Sequence, residues 1–474
     1  MKKRLLDDFE PTSKEDWIAQ AIKDLKGKNF EETLVSQSLE GFAIQPFYTR
    51  EDTAEYLGLK EFHHKINPKP EVPGSQARVW SNTVRISVNS EKESNVVILD
   101  SLQNGADGIV LDLKGLVDFS ILLKGVQPSY IQIFLEPKEN PIQVFGDFKS
   151  WLMSEGHGFS AVFGGVIWDG SVQFLTRSTE RKEVRRVCKE LVGMGKELPH
   201  FRSLTIQSSH YHNSGANVVQ ELAFSLGFLI DLIDDLNSEK IDTSELFGNL
   251  IFQTAVGADY FMEIAKVKLI RIMLQKLASL YQLAINPEEI FIYVQTGFWS
   301  KSGVDLQTNM LRNTTEAMSA ILGGCNALEV LRHDVVGHEP SGFSLRMSRN
   351  ISNILKEESY FDRVLDPVAG SYFLEKLIGE IFEKVQNRLV EIEDLGGWWD
   401  AVGKNLLQAE IKETRKYRQQ MVMEGKKVKV GVNRYLSGKE NAVLSSEAEN
   451  NESIEQLKIS RESCLSEFVD PSMP

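Results

Sequence analysis

Short apolar runs alternate with longer amphipathic stretches through most of the chain. In one such stretch, a β-branched and aromatic run at Ile290–Gln295 precedes a polar loop and a segment, Leu306–Leu322, whose apolar residues recur at helical spacing. Gly323 and Gly324 end that helix where a positive φ is easiest, and a second apolar run, Asn326–Val330, follows. The pattern predicts a strand, a helix and a second strand parallel to the first.

Eight apolar runs, mostly with helical segments between them, predict an α/β fold of the (β/α)8 TIM-barrel type over residues 61–436, because eight alternating units favour a closed barrel over an open sheet. The runs are Ile109–Leu113, Tyr130–Leu135, Ala161–Trp168, Ser203–Gln207, Asn249–Thr254, Ile290–Gln295, Asn326–Val330 and Arg363–Asp366. In such barrels ligands meet the loops that follow the strands, so residues 295–305 and 331–338 are the first places to look for chemistry.

The segments on either side of this pattern differ in composition. Residues 1–60 form a predicted N-terminal arm, with an amphipathic helix around Trp17–Leu25 and too few apolar residues for a core of its own. Residues 61–95 are polar and Pro-rich, which predicts loop and edge structure. At the other end, Trp398–Met423 predicts a helix or a helix pair, and residues 437–474 have the composition of a linker-like tail.

Composition and charge narrow the class of protein. A net charge of −14 argues against a nucleic-acid partner, whose phosphates need clustered Lys and Arg. No apolar run reaches membrane-spanning length, and the N-terminus lacks the apolar core of a signal peptide. Cys188, Cys325 and Cys464 are too few and too scattered for a disulfide framework or a thiolate metal site. We expect a cytoplasmic protein with free thiols.

Six sequence blocks carry a family resemblance. They are, in chain order, YFMEIAK at Tyr260–Lys266, VQTGFW, LRNTTEAMSAILGGCNALEVL, LRMSRN at Leu345–Asn350, DPVAGSYF at Asp366–Phe373 and VGVNRY at Val430–Tyr435. In that order they resemble the substrate-domain barrel of the adenosylcobalamin-dependent methylmalonyl-CoA mutase family. The arm resembles that of the family's smaller subunit, with Phe47 and Tyr48 interpreted as arm residues packed on the barrel.

The resemblance implies two substrate-site positions that this chain keeps. Catalytic chains carry a G-Y-H stretch, in which the His hydrogen-bonds the substrate carbonyl and the Tyr is an aromatic site residue. Aligned through the Ser-Gly-Ala at residues 214–216, His210 keeps the His while Ser209 replaces the Tyr. Gln295 matches a substrate-contacting Gln. His210 and Gln295 are therefore the candidate catalytic residues, as vestiges of a site.

Other positions that the resemblance implies are changed. Catalytic chains place an Arg and a His two residues apart before that Gln, where Phe291 and Tyr293 stand in this sequence. The Arg-bearing R-L-S-F-F strand reads NLIFQ at residues 249–253, and the T-I-R-Q-Y segment, which supplies the Tyr that drives cobalt–carbon cleavage, has no recognisable counterpart between Pro73 and Val96. Without an Arg clamp a substrate carboxylate would be left unpaired. The pattern resembles the small, non-catalytic subunit, whose barrel lacks the substrate tunnel.

The resemblance also implies where the cofactor and the partner lie. Family members that bind cobalamin continue into a second α/β domain carrying D-x-H-x-x-G, whose His ligates cobalt. In this sequence the pattern H-x-x-G occurs only from His212 to Gly215, with His210 at the Asp position. We therefore expect no cobalamin-binding domain here. Adenosylcobalamin is expected on a large catalytic chain that forms a heterodimer with this one and interconverts methylmalonyl-CoA and succinyl-CoA, a reaction of propionate metabolism.

Two other functions remain open. In the first, the chain is the catalytic substrate half of a split acyl-CoA mutase that a separate cobalamin-binding protein completes. In the second, it is a metal-dependent barrel hydrolase, with the first two ligands on one face of a strand. That ligand set would be His210, His212, His333 and Asp366.

One basic cluster also has two interpretations. It is either a site for a phosphate such as that of coenzyme A or, as on most outer helices, a solvated face. Its members are Arg181, Lys182, Arg185 and Arg186.

Overall fold

Eight parallel strands form a closed barrel in a computed structural model that describes residues 12–56, 67, 76–177, 179–436 and 455–463. Strands β1 to β8 are Ser81–Val88, Gly108–Leu113, Gln132–Pro137, Phe163–Val166, Phe201–Arg202 continued by Leu204–Gln207, Leu250–Val256, Phe291–Thr296 and Ala327–Glu329. β8 closes the ring by pairing Ala327 with Ser81 of β1, and the two halves of β5 pair with β4 and with β6. The expected TIM-type fold is confirmed.

Helices surround the barrel and are numbered in chain order. They are α1 Lys14–Asp24, α2 Phe30–Leu34, α3 Glu91–Gln103, α4 Phe119–Leu122, α5 Pro141–Ser154, α6 Gly170–Arg177, α7 Arg181–Gly195, α8 Ser209–Asn213, α9 Val218–Ser238, α10 Thr243–Gly248, α11 Tyr260–Leu280, α12 Thr308–Gly323, α13 Gly342–Glu357, α14 Tyr372–Asp394, α15 Gly397–Gly403 and α16 Leu406–Met423. Short 3-10 turns lie at Arg50–Tyr56, Phe159–Ala161 and Pro287–Glu289. In the part of the chain that the structure describes, no helix is long and apolar enough to cross a membrane.

Local sequence signals explain where several helices begin and end. Asn217 caps α9 by accepting from the Gln220 amide at 2.9 Å, and the Gln220 side chain accepts in turn from the Asn217 amide. Gly324 ends α12 at a φ of 94°, as the Gly-Gly pair predicts. The unit of β7, α12 and β8 is therefore the parallel strand–helix–strand predicted from sequence. The helix pair predicted over Trp398–Met423 is confirmed as α15 and α16.

Two predictions about the ends of the barrel are wrong. The composition of residues 61–95 predicts loop and edge structure, but Ser81–Val88 is the first barrel strand. The apolar run Arg363–Asp366 predicts the last strand and forms none. Val364 there is 53% exposed, so the short run has no barrel face to cover. The strand ending at Gln207 is accordingly the fifth of the barrel, and the one that precedes His333 is the eighth.

The two faces of the strands build two separate cores. In β1 the side chains of Val84, Ile86 and Val88 belong to the layer between strands and helices. A second, smaller core fills the barrel itself. Its buried members are Val110, Phe134, Ile167, Ile251, Phe291, Tyr293 and Ala327. The interior of the barrel is thus packed with side chains at this level.

The arm and the tail both contact the barrel. In the arm, Trp17 of α1 stacks on Phe47 with ring centroids 4.9 Å apart, and Tyr48 contacts Phe373 of α14 at 5.6 Å. In the tail, described over residues 455–463, Leu457 is only 2% exposed and belongs to the main core. The arm boundary at residue 60 and residues 437–454 and 464–474 lie outside the described residues, so the three-part division of the chain stays a prediction.

Candidate functional site

A layer of charged side chains fills the carboxyl end of the barrel, above the apolar interior. Arg85 of β1 donates to Glu329 of β8 through two nitrogens, at 2.6 and 3.0 Å, and also forms an ion pair with Glu136 of β3. Tyr293 of β7 donates its hydroxyl to the same Glu329 carboxylate at 2.5 Å. Glu329 is 1% exposed and Arg85 retains 26% of its side-chain exposure. Four strands thus place mutually paired side chains where a substrate would meet the strand ends.

The electrostatics of this layer keep Arg85 and Glu136 charged and Tyr293 protonated. Burial alone would raise the pKa of Glu136, but the charges of Arg85 and Lys138 outweigh it and hold the pKa below its ordinary value. Burial and the Glu329 carboxylate raise the pKa of Tyr293 well above its usual range, so the phenol stays protonated and donates. With three of its five N–H donors aimed at Glu136 and Glu329, the Arg85 guanidinium is already paired with two carboxylates of the chain itself.

A row of amide side chains crosses the same end of the barrel and includes Gln295. Gln207 of β5 donates to Gln253 of β6 at 2.8 Å, and Gln253 donates to Gln295 of β7 at 3.3 Å. Gln295 shares the inward face of β7 with Phe291 and Tyr293, because the three alternate along the strand. The structure therefore joins Gln295 to Gln253 and, through Gln253, to Gln207, in a row that the sequence did not predict.

His210 and His212 lie in α8, the short helix that follows β5, and both are buried. His210 is at the carboxyl end of the barrel, as its resemblance to a substrate-binding His implies. His212 contacts a buried ion cluster. Its Nδ1 lies 3.4 Å from Glu221 and 3.5 Å from Lys266. The two His residues lie on a helix and not on a strand. Residues two positions apart on a helix do not share a face, so the expected pair of ligands on one face is absent.

The ion cluster beside His212 is completely buried. Glu221 of α9 accepts from Lys266 of α11 at 2.8 Å, from Ser208 at 2.8 Å and from Thr254 of β6 at 2.6 Å. Both Glu221 and Lys266 have side chains with 0% exposure. Burial alone would raise the pKa of Glu221, but the Lys266 charge and the contact with His212 lower it to about 2. The cluster ties two helices to the strands between them.

The ligand set proposed for a metal-dependent hydrolase is not assembled. Asp366 pairs with Lys268 of α11 and contacts Asn67, and neither contact involves a His of the set. The ring of His333 packs against Phe343, with centroids 5.8 Å apart. Within the described ranges, no group of three or more His, Cys, Asp or Glu is placed to hold a metal ion. The hydrolase hypothesis is therefore wrong in its ligand geometry.

The cobalamin motif does not fit the surroundings of His212 either. Its Nε2 lies against the backbone of the loops after β6 and β7, since a Cβ on Gly257 or Gly297 would come within 3.3 or 2.8 Å of it. The imidazole is 4% exposed, and its other nitrogen faces Glu221 and Lys266. A cobalt ligand must reach a large corrin ring, and this imidazole is buried among other parts of its own chain.

The three arginines of the basic cluster on α7 are paired with carboxylates. Arg181 forms two bonds with Asp235, at 3.0 and 2.6 Å, and Arg185 contacts Glu239 at 2.6 Å. Arg186 pairs along its own helix with Glu183 and Glu190. These pairs lie on the outside of the barrel, which favours the interpretation as a solvated helix face over a phosphate site.

The ion pair of Arg85 and Glu329 inside the barrel was not predicted from the sequence. Glu329 gave a usable signal, since a lone carboxylate inside the apolar run Asn326–Val330 needs a buried cationic partner. Arg85 gave the complementary signal in the stretch between Pro73 and Val96, where no family counterpart was recognised. The two residues are 244 positions apart, so their contact becomes evident only when β1 closes the ring against β8.

Sequence comparisons with known proteins agree on one family. A sequence model of the methylmalonyl-CoA mutase family matches residues 112–470. A methylmalonyl-CoA mutase small subunit of Porphyromonas gingivalis is 30% identical, with 97% of this chain and 76% of that protein covered. A methylmalonyl-CoA mutase of Cereibacter sphaeroides is 28% identical, with 90% and 65% covered. Among solved structures, a Yersinia pestis dihydropteroate synthase matches at 12% identity and a TM-score of 0.32, over 62% of this chain and 99% of that one.

Proposed function

Because the chain belongs to the methylmalonyl-CoA mutase family, we propose that it is the small, structural subunit of an adenosylcobalamin-dependent methylmalonyl-CoA mutase. In this proposal a large partner subunit binds the cobalamin and carries out the interconversion of methylmalonyl-CoA and succinyl-CoA. The present chain contributes a barrel without a working active site. Its His210 and Gln295 are vestiges of the substrate site.

The observation that carries the proposal is the layer of paired side chains at the carboxyl end of the barrel. There the Arg85 guanidinium donates to Glu136 and to Glu329, and the Tyr293 hydroxyl donates to Glu329. An acyl-CoA carboxylate would have to compete with Glu329 and Glu136 for Arg85, and displacing either would leave a buried carboxylate without its partner. Binding of this kind of substrate is therefore disfavoured at the place where the fold would accept it.

The surface supports a role in assembly. Helix α1 has no buried residue, and Ile22 on it is 49% exposed. Nearby aromatic side chains are also exposed, with Phe47 of the arm at 40% and Phe261 of α11 at 49%. Phe261 contacts Phe373, which in turn contacts Tyr48 of the arm, so the arm and α11 share one aromatic surface. Aromatic residues of this kind are enriched at protein interfaces.

Turnover by the purified chain tests the proposal. The chain alone, supplied with adenosylcobalamin and methylmalonyl-CoA, is expected to form no succinyl-CoA, while the same assay with the large subunit added is expected to show turnover. A chromatographic assay for succinyl-CoA measures both. Succinyl-CoA from the isolated chain, above a heat-denatured control, would refute the structural role.

The split-mutase alternative is favoured by one observation, the retention of His210 and Gln295 at the carboxyl end of the barrel. In that case the chain is the substrate half of an acyl-CoA mutase, and a separate small cobalamin-binding protein completes it. A neighbouring gene for a full-length mutase chain supports the structural subunit, whereas a neighbouring gene for only a small D-x-H-x-x-G protein supports the split enzyme. Activity reconstituted with that small protein would establish the alternative.

A further inference from the structure

A stretch of the C-terminal tail is built into the carboxyl end of the barrel. The Ser460 amide donates to the carbonyl of Asn213, in the helix after β5, at 2.8 Å. The Glu462 amide donates to the carbonyl of Trp299, in the loop after β7, also at 2.8 Å. The tail therefore bridges the loops of two strands that are not neighbours, because β6 lies between them.

Helix α16 contacts the same stretch from the other side. Its Arg415 donates to the carbonyl of Lys458 at 3.2 Å, and its Gln419 donates to the carbonyl of Arg461 at 3.0 Å. The stretch thus lies in a cleft between α16 and the loops after β5 and β7. Its backbone groups are hydrogen-bonded from both sides although it forms no helix or strand, which is expected of a segment with a fixed position.

Glu462 anchors the stretch through charge. Its side chain is 5% exposed, forms an ion pair with Lys427 and lies 4.0 Å from Lys429. Burial alone would raise the pKa of Glu462, but the Lys427, Lys429 and Arg418 charges lower it to about 2. The ion pair therefore persists well into the acidic range.

What remains of the cleft is a cavity of about 90 Å³, a volume suited to a few water molecules and too small for a cofactor. His212, Trp299 and Glu462 all line it. Trp299 is 1% exposed and lies under Arg418, whose guanidinium is 4.7 Å from the indole ring. The tail thus closes one side of the pocket that His212 and Trp299 line.

We propose that residues 455–463 are a strap that closes the carboxyl end of the barrel over β5 to β7 and excludes a second protein from those strand ends. The strap uses the chain's own tail to occupy the face on which a barrel enzyme would meet its ligand or a cofactor-bearing protein. This inference goes beyond assembly with a large subunit and stands without it. It also predicts that a small cobalamin-binding protein meets a closed face.

Hydrogen exchange and histidine labelling of the full chain test the strap. In the native chain the amides of Ser460 and Glu462 are expected to exchange at least tenfold more slowly than their unstructured rates, because each donates to a barrel carbonyl. In Glu462→Ala and in Leu457→Ser the strap is expected to detach. Diethyl pyrocarbonate should then modify His212 at least tenfold faster than in the native chain, as located by mass spectrometry.

Matched controls separate detachment from general unfolding. Ile459→Ser changes a side chain of the same stretch that is 51% exposed, and is expected to leave His212 labelling unchanged. His338 is exposed and should label equally in every variant. The strap is refuted if Ser460 and Glu462 exchange at unstructured rates in the native chain, which needs no variant to fold. It is also refuted if both variants keep their circular dichroism and His212 stays protected.

Discussion

The Glu221 carboxylate and the Lys266 ammonium have no exposed surface, so each depends on the other for its charge. Replacing Glu221 by Gln would leave Lys266 with Glu263 at 2.7 Å as its remaining carboxylate. We expect this substitution to lower the free energy of unfolding at pH 7 by about 3 kcal/mol, because a buried charge loses part of its compensation. Urea denaturation of the two proteins measures the difference.

The pKa of Glu221, about 2 in the folded protein, fixes how that difference changes with pH. A carboxylate whose folded pKa is depressed stabilises the protein above its unfolded pKa, and the contribution is lost as the pH falls towards the folded pKa. The gap between wild type and Glu221→Gln should therefore shrink from about pH 4.5 downwards. Glu190→Gln, which breaks an exposed pair with Arg186, is the control and should cost less than about 1 kcal/mol. A gap independent of pH would contradict the assignment.

At the scale of single residues, the sequence predicted which end of the barrel a residue lies at better than it predicted the contacts of that residue. It placed His210 and Gln295 at the carboxyl end of the barrel, and the structure has them in α8 and β7. It could not predict that Gln295 bonds Gln253, or that Glu221 and Lys266, 45 positions apart, share one hydrogen bond. Such contacts depend on how helices pack on the ring, and local periodicity does not encode that.

At the scale of elements, the prediction missed β1 because its inward face is polar. Thr83, Arg85 and Ser87 alternate with the apolar Val84 and Ile86, and together with a Pro-rich approach this looks like loop in a linear sequence. Inside the barrel Arg85 on this polar face donates to Glu136 and Glu329. A polar inward face is therefore stable in β1, because it pairs with polar side chains of other strands. The strongly apolar strands β3, β6 and β7 were correctly predicted because both of their faces are buried.

The arm is the element whose position should respond to pH. Glu40 accepts from the Val218 amide at the start of α9, at 3.3 Å. Loss of solvation, and then the charge of Asp259, raise its pKa. A raised pKa means that burying Glu40 on the docked arm is favourable while the carboxyl is protonated, and that this stability is lost as the pH rises through the raised value. Hydrogen exchange of the arm should therefore be faster at pH 8 than at pH 5, after correction for intrinsic rates.

Glu40→Gln should remove most of that pH dependence and keep the arm protected at pH 8, since Gln accepts the same hydrogen bond without a charge. The control is Glu31→Gln, on the exposed surface of α2, which should retain the native profile. Equal pH dependence in the native chain and Glu40→Gln would show that another group governs arm docking.

At the scale of the whole molecule, the proposed role is assembly. Obligate subunits bury more than about 2,000 Å² in apolar interfaces, and a partner that binds only the folded chain stabilises it by mass action. We expect co-expression with the large subunit to give a one-to-one complex and to raise the melting temperature of this chain.

Removing residues 1–45 should weaken the complex while leaving the far-UV circular dichroism of the barrel nearly intact. A truncated chain that binds the large subunit with unchanged affinity, measured by biolayer interferometry, would exclude the arm from the interface.

The number of acyl-CoA sites in that complex tests most directly whether this barrel is closed to substrate. Isothermal titration calorimetry of the purified heterodimer with succinyl-CoA reports the stoichiometry, and a titration of this chain alone provides the reference. Because Arg85 and Tyr293 both donate to Glu329 and fill the carboxyl end of this barrel, we expect it to bind no acyl-CoA. The expected result is one acyl-CoA bound per heterodimer and no binding heat from the isolated chain. Two acyl-CoA molecules per heterodimer, or saturable binding by this chain alone, would contradict the proposed structural role.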